Sequence, residues 1–103
     1  MATMKYAGIS VEVNDEGYMT DHSQWSEEIA RAIAAEEKIE LTDDHWQVIN
    51  ILHEQMSAKE QLPTIRGLKK LGVETKRLYE LFPDGPVKTA SRVAGYLKPS
   101  SCV

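Results

Sequence analysis

Between Thr42 and Lys59 the chain carries Trp46, Val48, Ile49, Ile51, Leu52 and Met56. Wound as a helix, these residues make an apolar face broader than the single stripe of a surface helix. Thr42 is a hydroxyl N-cap, and Asp43 and Asp44 follow where the helix dipole favours anions. The spacing therefore predicts a central helix over about residues 43–59, to be covered from more than one side. With 103 residues there is material for one small domain. A small, mainly α helical bundle is the expected outcome.

The flanking segments supply the cover. Ile9, Val11 and Val13 alternate with Ser10 and Glu12, and Asn14-Asp15-Glu16-Gly17 has turn chemistry. With Tyr18-Met19-Thr20 returning, a hairpin is predicted over residues 8–20. A helix follows over about residues 22–38, N-capped by Asp21 or Ser23, with Trp25, Ile29, Ala32 and Ile33 on one stripe. Pro63 suits a first helical turn and opens a short helix at 63–71, which Gly72 stops. Two more short helices are predicted at 74–82 and 86–94, the second begun by Pro86 and ended by Gly95. Residues 1–95 form the single domain on this reading. Residues 96–103, with little to hold them, are expected to be a mobile C-terminal arm.

Composition removes several functional classes. No apolar run approaches the ~18–20 residues that span a bilayer. The stretch Met1-Ala2-Thr3-Met4-Lys5 lacks the apolar core of a signal peptide, so the expectation is a cytoplasmic protein away from membranes. One cysteine, Cys102, allows neither an internal disulfide nor a cysteine zinc cage. His22, His45 and His53 show no tight ligand spacing and read as cap or surface residues, so no metal and no cofactor are expected. Carrier, binding module and partner subunit remain.

Charge is divided unevenly. Residues 1–60 hold 13 acids and 4 bases, whereas residues 61–103 hold 3 acids and 8 bases. Arg66, Lys69, Lys70, Lys76 and Arg77 fall within two short helices around a glycine turn, the outline of a helix-turn-helix. This face suits docking of an acidic partner or contact with nucleic acid. The same outline is an ordinary way to pack helices, and no Asn or Gln stands beside Lys76 and Arg77 to read bases. A DNA-binding regulator is thus an alternative.

Cys102 stands apart from the rest. A free thiol near the end of a loose segment is a liability unless it is used. As a thiolate it can accept sulfur from a persulfide, becoming Cys–S–SH. The seven residues from Gly95 to Cys102 span roughly 23–25 Å when extended, enough to enter a partner's active site.

Four stretches resemble the DsrC/TusE family, whose members include the gamma subunit of dissimilatory sulfite reductase and the TusE sulfur-relay protein. They are Leu41-Thr42-Asp43-Asp44-His45-Trp46-Gln47-Val48-Ile49, Leu81-Phe82-Pro83-Asp84-Gly85-Pro86-Val87-Lys88, Arg92-Val93-Ala94-Gly95 and Lys98-Pro99-Ser100-Ser101-Cys102-Val103. The resemblance implies a helical bundle with an N-terminal hairpin and a flexible arm. Its cysteine near the C-terminus would carry persulfide sulfur, so that any activity is at most that of a sulfurtransferase.

Reductase-type members have a second cysteine eleven residues earlier, where this chain has Ser91. The single-cysteine pattern is similar to the TusE kind, which passes sulfur toward 2-thiouridine in tRNA. A sulfite-reductase accessory subunit lacking the second thiol is the other alternative. The partners implied are a donor complex of the TusBCD or DsrEFH kind and a downstream tRNA thiolase or sulfite reductase. Tyr96-Leu97 and Ser100-Ser101 depart from the family's usual arm. An unperturbed cysteine is only a few per cent thiolate at pH 7, and Arg92 and Lys98 are candidates to support that thiolate.

Overall fold

The computed structural model describes residues 2–98. Its order is β1 (Ala2–Tyr6), β2 (Ile9–Val13), a 3-10 turn (His22–Gln24), α1 (Glu27–Glu36), α2 (Asp43–Lys59), α3 (Ile65–Lys70), α4 (Thr75–Leu81) and α5 (Pro86–Val93). The chain is mainly helical with an N-terminal antiparallel hairpin.

That hairpin lies upstream of the 8–20 expected from the sequence. Ala2 faces Val13 and Tyr6 faces Ile9 across a two-residue loop, with Ala7 at φ 53° and Gly8 at φ 78°. Positive φ at both loop positions matches the right-handed twist of the paired strands. The Asn14–Gly17 turn does form, but its return segment keeps one bridge, Val13 to Met19. Asn14 Oδ1 accepts the Glu16 and Tyr18 amides, which takes Tyr18 N–H out of any longer ladder. Alternation in β1 is poorly visible because only Tyr6 of its five residues is buried.

The helix expected over 22–38 is also corrected. Asp21 caps the 3-10 turn through the Ser23 amide, Trp25 is extended, and Ser26 caps α1 through the Ile29 amide at 3.3 Å. Two cap residues five positions apart compete, and each closes its own element. Trp25 therefore leaves the α1 stripe. Pro63 precedes the α3 cap, Thr64, rather than opening the helix. Helices α4 and α5 each end one residue short of 82 and 94.

The centre of the bundle is α5 rather than α2. Pro86, Val87, Thr89, Ala90, Ser91 and Val93 are all buried, and α5 packs against α1, α2 and α4. Its small residues let three helices approach closely. Helix α2 buries His45, Val48, Ile49 and Leu52, while Trp46, Ile51 and Met56 are only partly covered. At the start of α2, His45 Nδ1 accepts the Thr42 amide and Nε2 donates to the Leu81 carbonyl, pinning α2 to the end of α4.

Candidate functional site at the end of helix α5

Helix α5 ends in a left-handed glycine motif. Gly95, at φ 85°, donates to the Arg92 carbonyl, and Tyr96 N–H reaches back to the Ser91 carbonyl at 2.9 Å. The next three carbonyls are taken by side chains from elsewhere. Trp25 Nε1 donates to Val93 O at 2.8 Å, His53 Nε2 to Ala94 O at 3.1 Å, and His22 Nδ1 to Gly95 O at 3.1 Å. Every carbonyl from Ser91 to Gly95 thus accepts a hydrogen bond, as a helix terminus buried in the fold requires.

The three donors share one aromatic cluster. His22 stacks on Tyr96 at 4.2 Å, Trp25 meets His53 edge-on at 4.5 Å, and the two imidazoles lie 5.2 Å apart. Burial is the main force lowering the His53 pKa; the bond to Ala94 opposes it and neighbouring His22 adds to it. Burial likewise raises Tyr96. A side chain at position 95 is excluded, since its Cβ would stand 2.5 Å from Trp25 Cδ1. The expectation of a mobile arm from residue 96 is therefore corrected at its start. Tyr96 is buried, and Lys98 Nζ lies 3.2 Å from Glu16 Oε2. Tyr96 stays because stacking and the Ser91 bond outweigh the entropy of release. Residues 99–103, and with them Cys102, lie outside the described residues.

A cleft of about 360 Å³ adjoins this root, between Met19, Thr20 and His22 on one side and Met56, Leu62 and Leu97 on the other. Leu97 is half exposed at its rim. Thr20 Oγ1 is buried there with no hydrogen-bond partner among the described residues.

The remaining sequence candidates scatter. Ser91 is fully buried, its hydroxyl donating to Val87 O at 2.6 Å. Arg92 is not a free surface cation. Its guanidinium bonds Glu36, Glu37, the Gly17 carbonyl and the Tyr6 hydroxyl, tying α5 to the end of α1 and to the hairpin. Burial would lower the Arg92 pKa, but Glu36, Tyr6 and Glu37 outweigh it and hold it up. Arg66, Lys69, Lys70 and Lys76 are exposed and have no ion-pair partner among the described residues. Arg77 instead pairs with Asp44 and Glu80.

His22 and His53 were not linked by sequence reasoning, because they sit on the 3-10 turn and on α2. A faint signal existed in His22-Ser23-Gln24-Trp25, which sets a donor ring at each end of one turn. Among the described residues no group of three His, Cys, Asp or Glu side chains has a metal-holding arrangement.

Comparison with known proteins bears directly on this end of the molecule. Residues 5–103 match the family described as DsrC like protein. The sulfurtransferase TusE homolog of Haemophilus influenzae is 42% identical over 104 residues, covering 93% of this chain and 95% of that protein. The solution structure of Allochromatium vinosum DsrC superposes with a TM-score of 0.83 at 39% identity, covering 98% of this chain and 97% of the other. The oxidized gamma subunit of dissimilatory sulfite reductase from Archaeoglobus fulgidus gives 0.85 at 32% identity, covering 99% and 100%.

Proposed function

The chain belongs to the DsrC-like family and is a sulfur-relay carrier; on that premise we propose that Cys102 is the atom-bearing residue. Any catalytic activity is at most that of a sulfurtransferase. What carries the assignment to Cys102 is the family match over residues 5–103, which includes the one cysteine in the sequence.

The chemistry is a balanced exchange. The Cys102 thiolate attacks the outer sulfur of a donor persulfide, R–S–SH. The donor's S–S bond breaks, R–S⁻ leaves, and Cys102 becomes Cys–S–SH. Delivery repeats the step with Cys102 as the leaving thiolate. One S–S bond breaks for each that forms, so neither oxidant nor reductant is required.

Similarity to sulfurtransferase TusE favours the relay over the reductase-accessory reading. Ser91, an oxygen in place of a sulfur, fits both, since neither closes a disulfide with Cys102. The DNA-binding alternative is not favoured either, because Arg77 of the second short helix is engaged by Asp44 and Glu80. The proposed donor is a complex of the TusBCD or DsrEFH kind, and the proposed acceptor a tRNA thiolase. Arg66, Lys69, Lys70 and Lys76 form the proposed docking face, where long-range attraction speeds encounter with an acidic surface. Lys98, whose ammonium is paired with Glu16, is proposed to support the thiolate with its remaining donors. Arg92 is proposed to act only by anchoring α5, since its donors are already engaged. No described helix is long and apolar enough to cross a membrane, and a cytoplasmic site of action belongs to the same proposal.

Mass spectrometry after incubation with a persulfide donor tests the assignment. One added sulfur on the parent chain, absent from Cys102→Ser, is the expected result. Sulfur on another residue, or none, would overturn it.

A further inference from the structure

We propose that Trp25, His53 and His22 are positioning residues for sulfur transfer, clamping the Val93, Ala94 and Gly95 carbonyls so that the chain leaves α5 in one fixed direction. The inference rests on the carrier reading of Cys102 and concerns how that residue is presented. Ending a helix requires hydrogen-bond partners where the end is buried, but not an interlocked set of rings. The glycine motif satisfies the Ser91 and Arg92 carbonyls. Val93, Ala94 and Gly95 are buried, so their carbonyls need partners from within the fold, but burial does not dictate that those partners be mutually stacked rings. Here three ring N–H groups, brought from two other parts of the fold, are aimed at three successive carbonyls.

The rings also hold each other. Trp25 packs closely against Gly95, leaving no room for a Cβ there, Tyr96 stacks on His22, and His53 makes T-shaped contacts with both Trp25 and Tyr96. Rotation about Gly95 would break at least the His22 bond and the Tyr96 stack together. Beyond that, Lys98 is drawn to Glu16. Cys102 stands four positions past Lys98 in the sequence, so the direction in which the chain leaves Lys98 bears on its effective concentration at a docked partner. Misplacement of a reacting group by even ~1 Å can cost a transfer about a hundredfold. The clamp acts on the delivery geometry and leaves the intrinsic reactivity of the thiol alone.

The experiment compares the full-length parent with Trp25→Phe, which keeps a ring but removes the N–H, and with His53→Leu and His53→Gln. Three quantities are read: amide exchange at Tyr96, Leu97 and Lys98; Cys102 loading by glutathione persulfide; and loading by a persulfide-charged donor complex of the TusBCD kind. Exchange is expected to rise about fivefold or more in Trp25→Phe and His53→Leu. Loading by glutathione persulfide should stay within about twofold of the parent, whereas kcat from the protein donor should fall about five- to tenfold with KM little changed. His53→Gln, which restores a donor, should recover part of that loss.

Parent-like kcat in both Trp25→Phe and His53→Leu, with exchange raised, would overturn the positioning role and leave the clamp a purely structural cap. Unchanged exchange would overturn the clamp itself. Should Trp25→Phe unfold, the Leu and Gln variants of His53 decide alone. Failure of glutathione persulfide to load the parent chain is a separate result, seen without any variant, and it removes the carrier reading.

Discussion

The end of α5 and the α3–α4 pair sit on the same small domain and are built on opposite terms. At the α5 terminus each carbonyl from Ser91 to Gly95 is taken, the rings touch, and Arg92 holds four partners. In α3 and α4, helices of six and seven residues bury Leu68, Leu78 and Leu81 and leave Arg66, Lys69, Lys70 and Lys76 in solvent. The first region resists movement because many short-range bonds must break at once. The second, if it docks a partner as proposed, does so at a distance through charge, which needs no fixed geometry and is weakened by salt. On the proposals above, the rigid root presents the cargo and the charged face brings a partner in.

Breaking the rigid side should produce the largest effects. Gly95→Ala puts a Cβ into Trp25 at a left-handed φ, and should cost about 3 kcal/mol in urea denaturation. Arg92→Ala strands Glu36 and Glu37 and should cost about 2–3 kcal/mol, with Arg92→Lys recovering only part because the fork of donors is lost. Trp25→Phe removes one hydrogen bond and should cost about 1 kcal/mol, equally at low and high salt.

A pH series sharpens the same side of the contrast. The folded His53 pKa lies below its unfolded value near 6.5. Below that pH the unfolded chain binds more protons than the folded one, so His53's contribution is complete above about pH 6.5 and fades as pH falls through the folded value. Thermal melts should show this decline in the parent and less of it in His53→Gln. His22 and Tyr96 face the same ring and are unchanged in that comparison. On the soft side, Arg66→Ala, Lys69→Ala and Lys70→Ala should each shift stability by no more than about 0.5 kcal/mol. Their effect should appear in the rate of partner association, and shrink as ionic strength rises. A stability loss near that of Trp25→Phe would abolish the distinction between the two regions.

Legibility in the sequence followed the range of the interactions. The α2 segment was readable because Thr42, Asp43 and the apolar spacing are all local, and Pro86 and Gly95 marked α5 for the same reason. The hairpin was read one strand too late. Asn14–Gly17 is the more conspicuous turn, while Ala7-Gly8 carries a weak signal and β1 buries only Tyr6. In the candidate site, Cys102 and Ser91 were visible as residues, but the burial of Ser91 and the commitment of Arg92 were not. Nothing in the spacing of His22, Trp25 and His53 announces that all three meet one helix end.

Sequence alone determined the helical periods, the caps, the uneven charge and the single thiol, since each depends on a residue and its near neighbours. Tertiary structure decided that α5, short and rich in small residues, would be the centre, because close packing rewards what fits between three helices rather than what is most apolar. It also decided that two histidines and a tryptophan, placed far apart along the chain, would converge on Val93, Ala94 and Gly95. Hydrogen bonds between such distant groups exist only after the chain has closed on itself, and no local pattern encodes them.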